Sequence, residues 1–284
     1  MTTSEKPRPT GWLITGVSAG LGRALAKAAL ARGDAVAGTV RQARDKAAFE
    51  ALAPGRAFGF RIDLSDADGA PAVAEAAAGA LGGIDVLVNN AGYGLTCAVE
   101  EASLAELRAQ FEVNVFAPVA LIDAVLPAMR ARRAGRIVNI TSVSGIAVWA
   151  GTGLYCASKH ALEAIGESLA DEVAPLGIKV INVAPGGMRT DYAGRSLVIA
   201  AESIGDYEGG PGHAAQAILA DHSGTEGGDP AKVAQAILNA VDLAEPPRRL
   251  LLGADALHYA QAHIDGLEAD MAAWKAVSLS VGFA

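Results

Sequence analysis

Trp12-Leu13-Ile14-Thr15-Gly16-Val17-Ser18-Ala19-Gly20-Leu21-Gly22 is a short apolar run that breaks into a glycine loop. From 21 to 31 the composition turns helical, with Leu21, Leu25 and Ala28 on one stripe, and Gly33 supplies a stop. Strand, glycine loop and helix in that order open a βα unit. Glycines let a backbone approach a pyrophosphate, and a helix N-terminus favours its charge. Placement between a strand and a helix is what gives such a loop meaning.

Outward from this unit the pattern repeats. Strands are predicted at 35–40, 57–62, 84–88, 136–141, 178–183 and 249–252. Helices are predicted near 45–52, 70–81, 103–129, 155–173, 230–242 and 255–275. Asp229 and Pro230 read as N-cap and first helical residue. The strands are runs of Val, Ile and Leu without polar alternation, so both of their faces should be buried. The reading is α/β: a doubly wound parallel sheet of about seven strands with helices on both faces, Rossmann-like. No composition shift divides the alternation, so 11–284 is expected to be one catalytic domain. Residues 1–10, with three charges and two prolines, are expected to be a flexible tail.

Composition narrows the function. Of 284 residues 51% are hydrophobic and only 5% aromatic, so Ala, Val, Leu and Ile must fill the core. A net charge of -8 without a block of like charge argues against nucleic acid or an anionic membrane as partner. The apolar runs look short and interrupted, so none is expected to cross a bilayer. The N-terminus lacks the apolar core of a signal peptide. Two cysteines, Cys97 and Cys156, make no disulfide framework, and the expected location is the reducing cytoplasm. The five histidines show no ligand spacing, so no metal site is expected.

A second constellation lies at Ser142-Val143-Ser144-Gly145 and Tyr155-Cys156-Ala157-Ser158-Lys159. Tyr155 and Lys159 are four apart and share a helix face. A free tyrosine titrates at about 10, too high for proton exchange at neutral pH. A neighbouring ammonium favours the phenolate and makes a usable general acid/base. Ser142, at the end of the 136–141 strand, can hold a substrate oxygen beside the ring. Gly16, Asp63, Asn89, Ser142 and Pro185 all follow strands. In a parallel sheet those ends share the edge where open α/β folds bind ligands.

One rival reading comes from the same loop. Gly16-Val17-Ser18-Ala19-Gly20 also fits Gly-x-Ser-x-Gly, the nucleophile elbow of serine hydrolases, with His258 or His263 as partner. That reading puts the elbow on the first strand and leaves Gly22, Tyr155 and Lys159 without a role.

Taken together, Thr15-Gly-x3-Gly-x-Gly22, Asp63, Asn89-Asn-Ala-Gly92, Asn114, Ser142, Tyr155-x3-Lys159 and Pro185-Gly-x3-Thr190 resemble the short-chain dehydrogenases/reductases in order and spacing. The resemblance covers about 10–190. It implies a bound nicotinamide cofactor and hydride transfer to or from a carbonyl or alcohol carbon. It makes Tyr155 the acid/base and lets Ser142 hold the substrate oxygen. Lys159 would lower the tyrosine pKa and bind the nicotinamide ribose, and Asn114 would support a relay water. Against the cofactor it sets Gly16, Ser18, Gly20, Leu21, Gly22, Asp63, Leu64, Asn90, Ala91, Gly92, Tyr155, Lys159, Pro185, Gly186, Met188 and Thr190. An inactive, cofactor-binding relative is the remaining alternative.

Three finer expectations follow. NAD-binding members of the fold place an acid at the end of the second strand, about 20 residues beyond the glycine loop. Here that strand ends Gly38-Thr39-Val40-Arg41, with Asp34 before it and Asp45 beyond the turn. Arg41, with Arg44, could pair with a 2'-phosphate, so NADP(H) is preferred and NAD(H) possible. A homodimer or homotetramer is expected through the helices at 103–129 and 155–173, which the family commonly uses, with Trp274 of the last helix adding to the contact. Finally, 191–228 lacks a strand signal and is read as a substrate lid. Short helices at 196–201 and 214–219, with glycine hinges between and after them, would close over a small apolar substrate near Trp149.

Overall fold

Strands β1 (Gly11–Ile14) and β2 (Ala35–Val40) are buried along their whole length, as unalternated runs require. In the computed structural model, which describes residues 8–190, 196–222 and 224–283, they are joined by α1 (Gly20–Ala31). The chain continues through α2 (Ala43–Glu50), β3 (Ala57–Arg61), α3 (Ala70–Leu81), β4 (Val86–Asn89), β5 (Gly94–Thr96), α4 (Leu104–Phe111) and α5 (Ala117–Arg132). Then come β6 (Gly135–Ile140), α6 (Gly153–Val173), β7 (Ile178–Pro185), β8 (Leu197–Ile199), α7 (Pro211–His222), α8 (Pro230–Asp242), β9 (Arg249–Leu252) and α9 (Ala254–Ser280).

Seven strands form one parallel sheet in the order β3-β2-β1-β4-β6-β7-β9. Order reverses between β1 and β4, which makes their C-terminal ends the switch point of a doubly wound, Rossmann-like fold. Side chains alternate across the sheet. Trp12 and Ile14 join α1, α2 and α8 in one apolar layer, whereas Leu13 joins α3, α5 and α6 in the other.

A row of amides crosses the buried centre of this sheet. Asn89, Asn139 and Asn182 are in register on β4, β6 and β7. Asn89 Nδ2 donates to Asn139 Oδ1 at 2.9 Å, and Asn139 Nδ2 to Asn182 Oδ1 at 3.1 Å. Asn182 Nδ2 ends the row on the carbonyl of Glu163 in α6, at 2.7 Å. A Cβ on Gly166 would overlap the Asn182 amide, so glycine is what lets α6 lie this close.

Four expectations need correction. Residues 197–199 are a strand, not a helix: β8 pairs in parallel with β5, and β-branched Val198 and Ile199 suit that pairing. The interval 191–228 therefore does contain a strand; its residues 191–195 and 223 lie outside the described ones. The tail is not loose up to residue 10. Arg8 makes a bidentate pair with Asp85, at 2.7 Å for each nitrogen, and Asp85 also accepts from Gly11 N–H; residues 1–7 lie outside the described ones. The apolar runs are not all short. Leu104–Arg132 is one helical stretch, long and apolar enough by length and composition to cross a membrane. Its Leu121, Ile122, Val125 and Met129 are buried in the α3/α5/α6 layer.

That stretch starts on a capping box. Ser103 Oγ accepts from Glu106 N–H, and the Glu106 carboxylate takes Ser103 N–H at 2.9 Å. Between α4 and α5 a π turn over Glu112–Phe116 widens the helix at Asn114. Such turns occur often at functional sites.

Candidate active site

At the switch point the glycine loop is held from beneath by two threonines. Thr15 Oγ1 accepts the N–H groups of Asn90 and Ala91, each at 2.9 Å. Thr39 Oγ1 accepts Gly16 N–H at 3.0 Å. Asn90 Nδ2 donates to the Thr15 carbonyl at 2.8 Å, so the second strand-end motif is tied to the first. Gly16 and Gly20 have φ of 72 and 56, a region side-chain-bearing residues avoid. A Cβ on Gly22 would collide with Asn90 Nδ2 and the Gly16 carbonyl. At the start of α1, Ala19 offers no capping side chain, and no acid sits in the first turn. The first-turn amides are thereby left for an anion, which suits a pyrophosphate.

On the other side of the switch point stands α6. Tyr155 and Lys159 share its face, with Lys159 Nζ 5.9 Å from the centre of the Tyr155 ring. Lys159 is buried, and its ammonium donates to the Ile140 carbonyl at 3.0 Å, two residues before Ser142. Burial pushes its pKa down from 10.5 to about 8. Ser142 is extended, and its Oγ accepts Ser144 N–H at 3.1 Å. The hydroxyl keeps its own proton to donate.

Asn114 is fully buried in the π turn, and its amide is committed. Oδ1 accepts Tyr93 N–H at 3.1 Å; Nδ2 donates to the Tyr93 carbonyl at 2.9 Å and to Ser158 Oγ at 3.0 Å. Ser158 Oγ in turn donates to the Tyr155 carbonyl at 2.7 Å. A Cβ on Gly92 would stand 3.1 Å from Asn114 Oδ1 and 3.3 Å from Lys159 Nζ, which places Gly92 beside both.

The remaining expected contacts also gather on this edge. Gly20 lies against Thr190, since a Cβ there would be 3.7 Å from its Cβ. Pro185 pairs with Leu252, and Gly186 N–H donates to the Leu252 carbonyl at 3.0 Å. Met188 bridges to Gly228. Leu21 and Leu64 are buried. Asp63 accepts Ser65 N–H at 3.0 Å, and this bond, with the Ser65 side chain and the Arg41 charge, holds its carboxyl below the usual range. Arg41 is exposed just beyond β2. Asp34, at the opposite end of β2, is spent on Trp12 Nε1 (2.9 Å) and Arg32 Nε (2.7 Å). Arg44 sits 3.9 Å from Asp45.

The hydrolase constellation does not assemble. His258 and His263 are exposed on α9, His258 against Tyr259, and neither is joined to Ser18 by a hydrogen bond among the described residues. Among those residues no group of His, Cys, Asp and Glu is placed to hold a metal.

Thr39, Ser158 and Tyr93 are site residues that motif spacing did not single out. Ser158, three residues after Tyr155, is the one whose position on the helix carried a signal. Sequence also gave no sign of three carboxylates that clasp the 196–213 segment. Glu101, buried, takes Ile204 N–H at 2.8 Å and lies 2.6 Å from His213 Nε2. Glu100 accepts from Tyr207 Oη at 2.7 Å, and Glu106 accepts Ala201 N–H at 2.9 Å. The Ile204 N–H, then His213, holds the Glu101 carboxyl below its usual range. Trp149, after Ser142, packs edge-on against Tyr259 at 5.2 Å.

The family model described as short chain dehydrogenase matches residues 12–197. Oxidoreductase BOA17 of Botryotinia fuckeliana is 36% identical over 95% of this chain and 98% of its own. Human retinol dehydrogenase 8 is 35% identical over 85% of this chain and 80% of its own. Among solved structures, a short-chain dehydrogenase from Streptomyces avermitilis has a TM-score of 0.89 and 40% identity, covering 99% of this chain and 100% of that one. A Burkholderia phymatum relative in complex with NAD has a TM-score of 0.82 and 25% identity, covering 93% and 95%. A metagenomic oxidoreductase in complex with NADP has a TM-score of 0.68 and 29% identity, covering 86% and 97%.

Proposed function

Because the chain belongs to the short-chain dehydrogenase family and is thus an oxidoreductase served by a nicotinamide cofactor, we propose that it moves a hydride between NADP(H) and the carbonyl or alcohol carbon of a small apolar substrate, with Tyr155 as acid/base. The observation that carries this reading is the buried Lys159 ammonium beside the Tyr155 ring, on the same sheet edge as the glycine loop. The cofactor, when bound, supplies or accepts the hydride. Tyr155 Oη gives a proton to the substrate oxygen, or takes one from it in the reverse direction. Ser142 Oγ donates to that oxygen and orients it. The Lys159 charge favours the phenolate, and its depressed pKa keeps a proton within reach of exchange near neutrality. Asn114, through Ser158 and Tyr93, holds the helix face that carries the pair. The α1 amides take the pyrophosphate. Purified protein with NADPH or NADH is tested against aldehydes, ketones, quinones and steroid-like alcohols by nicotinamide absorbance. Turnover is expected with NADPH and an apolar carbonyl; cofactor binding with no turnover of any class would favour the inactive relative.

NADP(H) is favoured because Arg41 takes the place of an acid after β2, and Asp34 is committed elsewhere. Arg41→Ala is expected to weaken NADPH binding by roughly 10-fold or more, as a charged hydrogen bond of about 1.5–3 kcal/mol implies, and to leave NADH unchanged. Fluorescence titration with both cofactors reads the difference. Equal losses would remove Arg41 from the preference.

The 196–222 segment acts as the substrate lid, clasped to the 94–106 stretch by β5–β8 pairing and by Glu100, Glu101 and Glu106. Glu101→Ala is expected to speed chymotrypsin cutting near Tyr207 in the free protein, with NADPH plus substrate restoring protection. Unchanged cutting would show that the clasp does not hold the lid. For assembly, a homodimer or homotetramer pairs through the helices at 103–129 and 155–173, and Leu104, Phe116 and Val119 are exposed along the first of them.

A further inference from the structure

Beyond Ala260, α9 leaves the body of the protein. Ala256 and Ala260 are its buried residues, and every described residue from 261 to 283 is exposed. At about 1.5 Å per residue, the 27-residue helix is about 40 Å long. Helices in proteins draw most of their stability from packing an apolar face, so an exposed helix of this length calls for a partner.

The exposed side chains say what kind. Ile264, Leu267, Met271 and Trp274 are 43%, 55%, 63% and 63% exposed. They recur at spacings of three, four and three, and Leu257 stands one heptad before Ile264. This keeps them on one stripe at the 3.5-residue period of a coiled-coil seam. The flanks are polar. His263 and Asp270 precede the seam residues Ile264 and Met271, while Glu268 and Lys275 follow Leu267 and Trp274. In a parallel pair each position before the seam faces the position five residues later in the other helix. That sets Asp270 against Lys275 and His263 against Glu268, opposite charges for the first pair and a compatible pair for the second. An antiparallel pair centred between Leu267 and Met271 would instead set Glu268 against Glu268 and Asp270 against Asp270. A lipid surface fits less well. Between 264 and 276 there are three acids, Asp265, Glu268 and Asp270, to one Lys275, whereas interfacial helices are rich in Lys and Arg.

We propose that the Ile264, Leu267, Met271 and Trp274 stripe of α9 is a coiled-coil seam that pairs, parallel and in register, with the same helix of a second copy of this chain. The base of the helix packs through Tyr259 on Trp149, in the loop between Ser142 and α6. This seam assigns Trp274 to a contact of its own rather than to the one through the 103–129 and 155–173 helices.

Two variants of the full chain test it. Leu267→Asp changes an exposed residue, so melting of the body and cofactor binding should be unaffected, while the mass by light scattering should halve. Leu267→Cys should form a covalent dimer with itself under mild oxidation, since the native Cys97 and Cys156 are buried. An unchanged mass in Leu267→Asp overturns the proposal. So does linkage that appears only when Leu267→Cys is mixed with Met271→Cys, which would mean antiparallel helices. Flotation of wild-type protein with anionic phosphatidylserine vesicles as a monomer overturns it in favour of a lipid partner.

Discussion

Tyr155→Phe should lower turnover by roughly 100-fold or more while leaving cofactor affinity in place. The ring keeps its place 5.9 Å from Lys159 Nζ, and what is removed is the hydroxyl that carries the proton. The aromatic packing is kept, and the loss of turnover belongs to chemistry. Steady-state rates and a cofactor titration on the same preparation separate the two effects. Turnover near the wild-type level would remove Tyr155 from the proposed role.

Lys159→Met should raise the stability of the cofactor-free protein at neutral pH while lowering both turnover and cofactor affinity. The unfolded ammonium titrates near 10.5 and the folded one near 8. Between those values the unfolded chain holds a proton that the folded chain lacks, so this group makes stability of the cofactor-free protein rise as pH climbs from about 8 to 10.5. Below about 8 both states are protonated, and burying the charge costs roughly 3 kcal/mol at about 1.4 kcal/mol per tenfold. Methionine fills similar space without the charge, though it gives up the bond to Ile140. Urea unfolding at about pH 7 should therefore show the variant more stable by roughly 1–3 kcal/mol. The wild type should recover part of that gap by about pH 10. Turnover should fall by roughly 100-fold and cofactor affinity with it. A variant less stable than wild type at neutral pH would mean that the buried charge carries no such cost.

What was legible in the sequence has a physical reason. The central strands stand out because burial on both faces leaves no polar alternation, while the edge strands β3 and β9 are only partly buried, and helix α3 falls at 70–81 as its composition required. The glycine loop, Asn90 and the Tyr155/Lys159 pair were legible because each depends on spacing along one element or at one strand end. What escaped depends on distant partners. The pair β5 and β8 are three residues each and take their definition from one another, about a hundred residues apart. Glu100, Glu101 and Glu106 carry no local signal, because their partners in the 196–213 segment lie about a hundred residues on. Arg8 looked like part of a loose tail because Asp85 is far away in sequence. The helix through Leu104 and Arg132 was read at nearly its full length, but its charges and prolines hid how apolar the stretch is as a whole.

The amide row across β4, β6 and β7 has a consequence for how the chain finds its fold. Successive side chains on a strand point to opposite faces, so sliding β6 by one residue would replace Asn139 with Val138 or Ile140 and turn Asn139 to the other side. Aliphatic strands alone would tolerate such a slip, because valine and isoleucine are nearly interchangeable neighbours. Here it would strand the amides of Asn89 and Asn182 in an apolar interior, at about 1–3 kcal/mol for each unsatisfied group. Misaligned pairings of the three central strands are therefore disfavoured as they form. Helix α6 can then settle on the correct alignment alone, because only there does Asn182 meet the Glu163 carbonyl beside the gap left by Gly166.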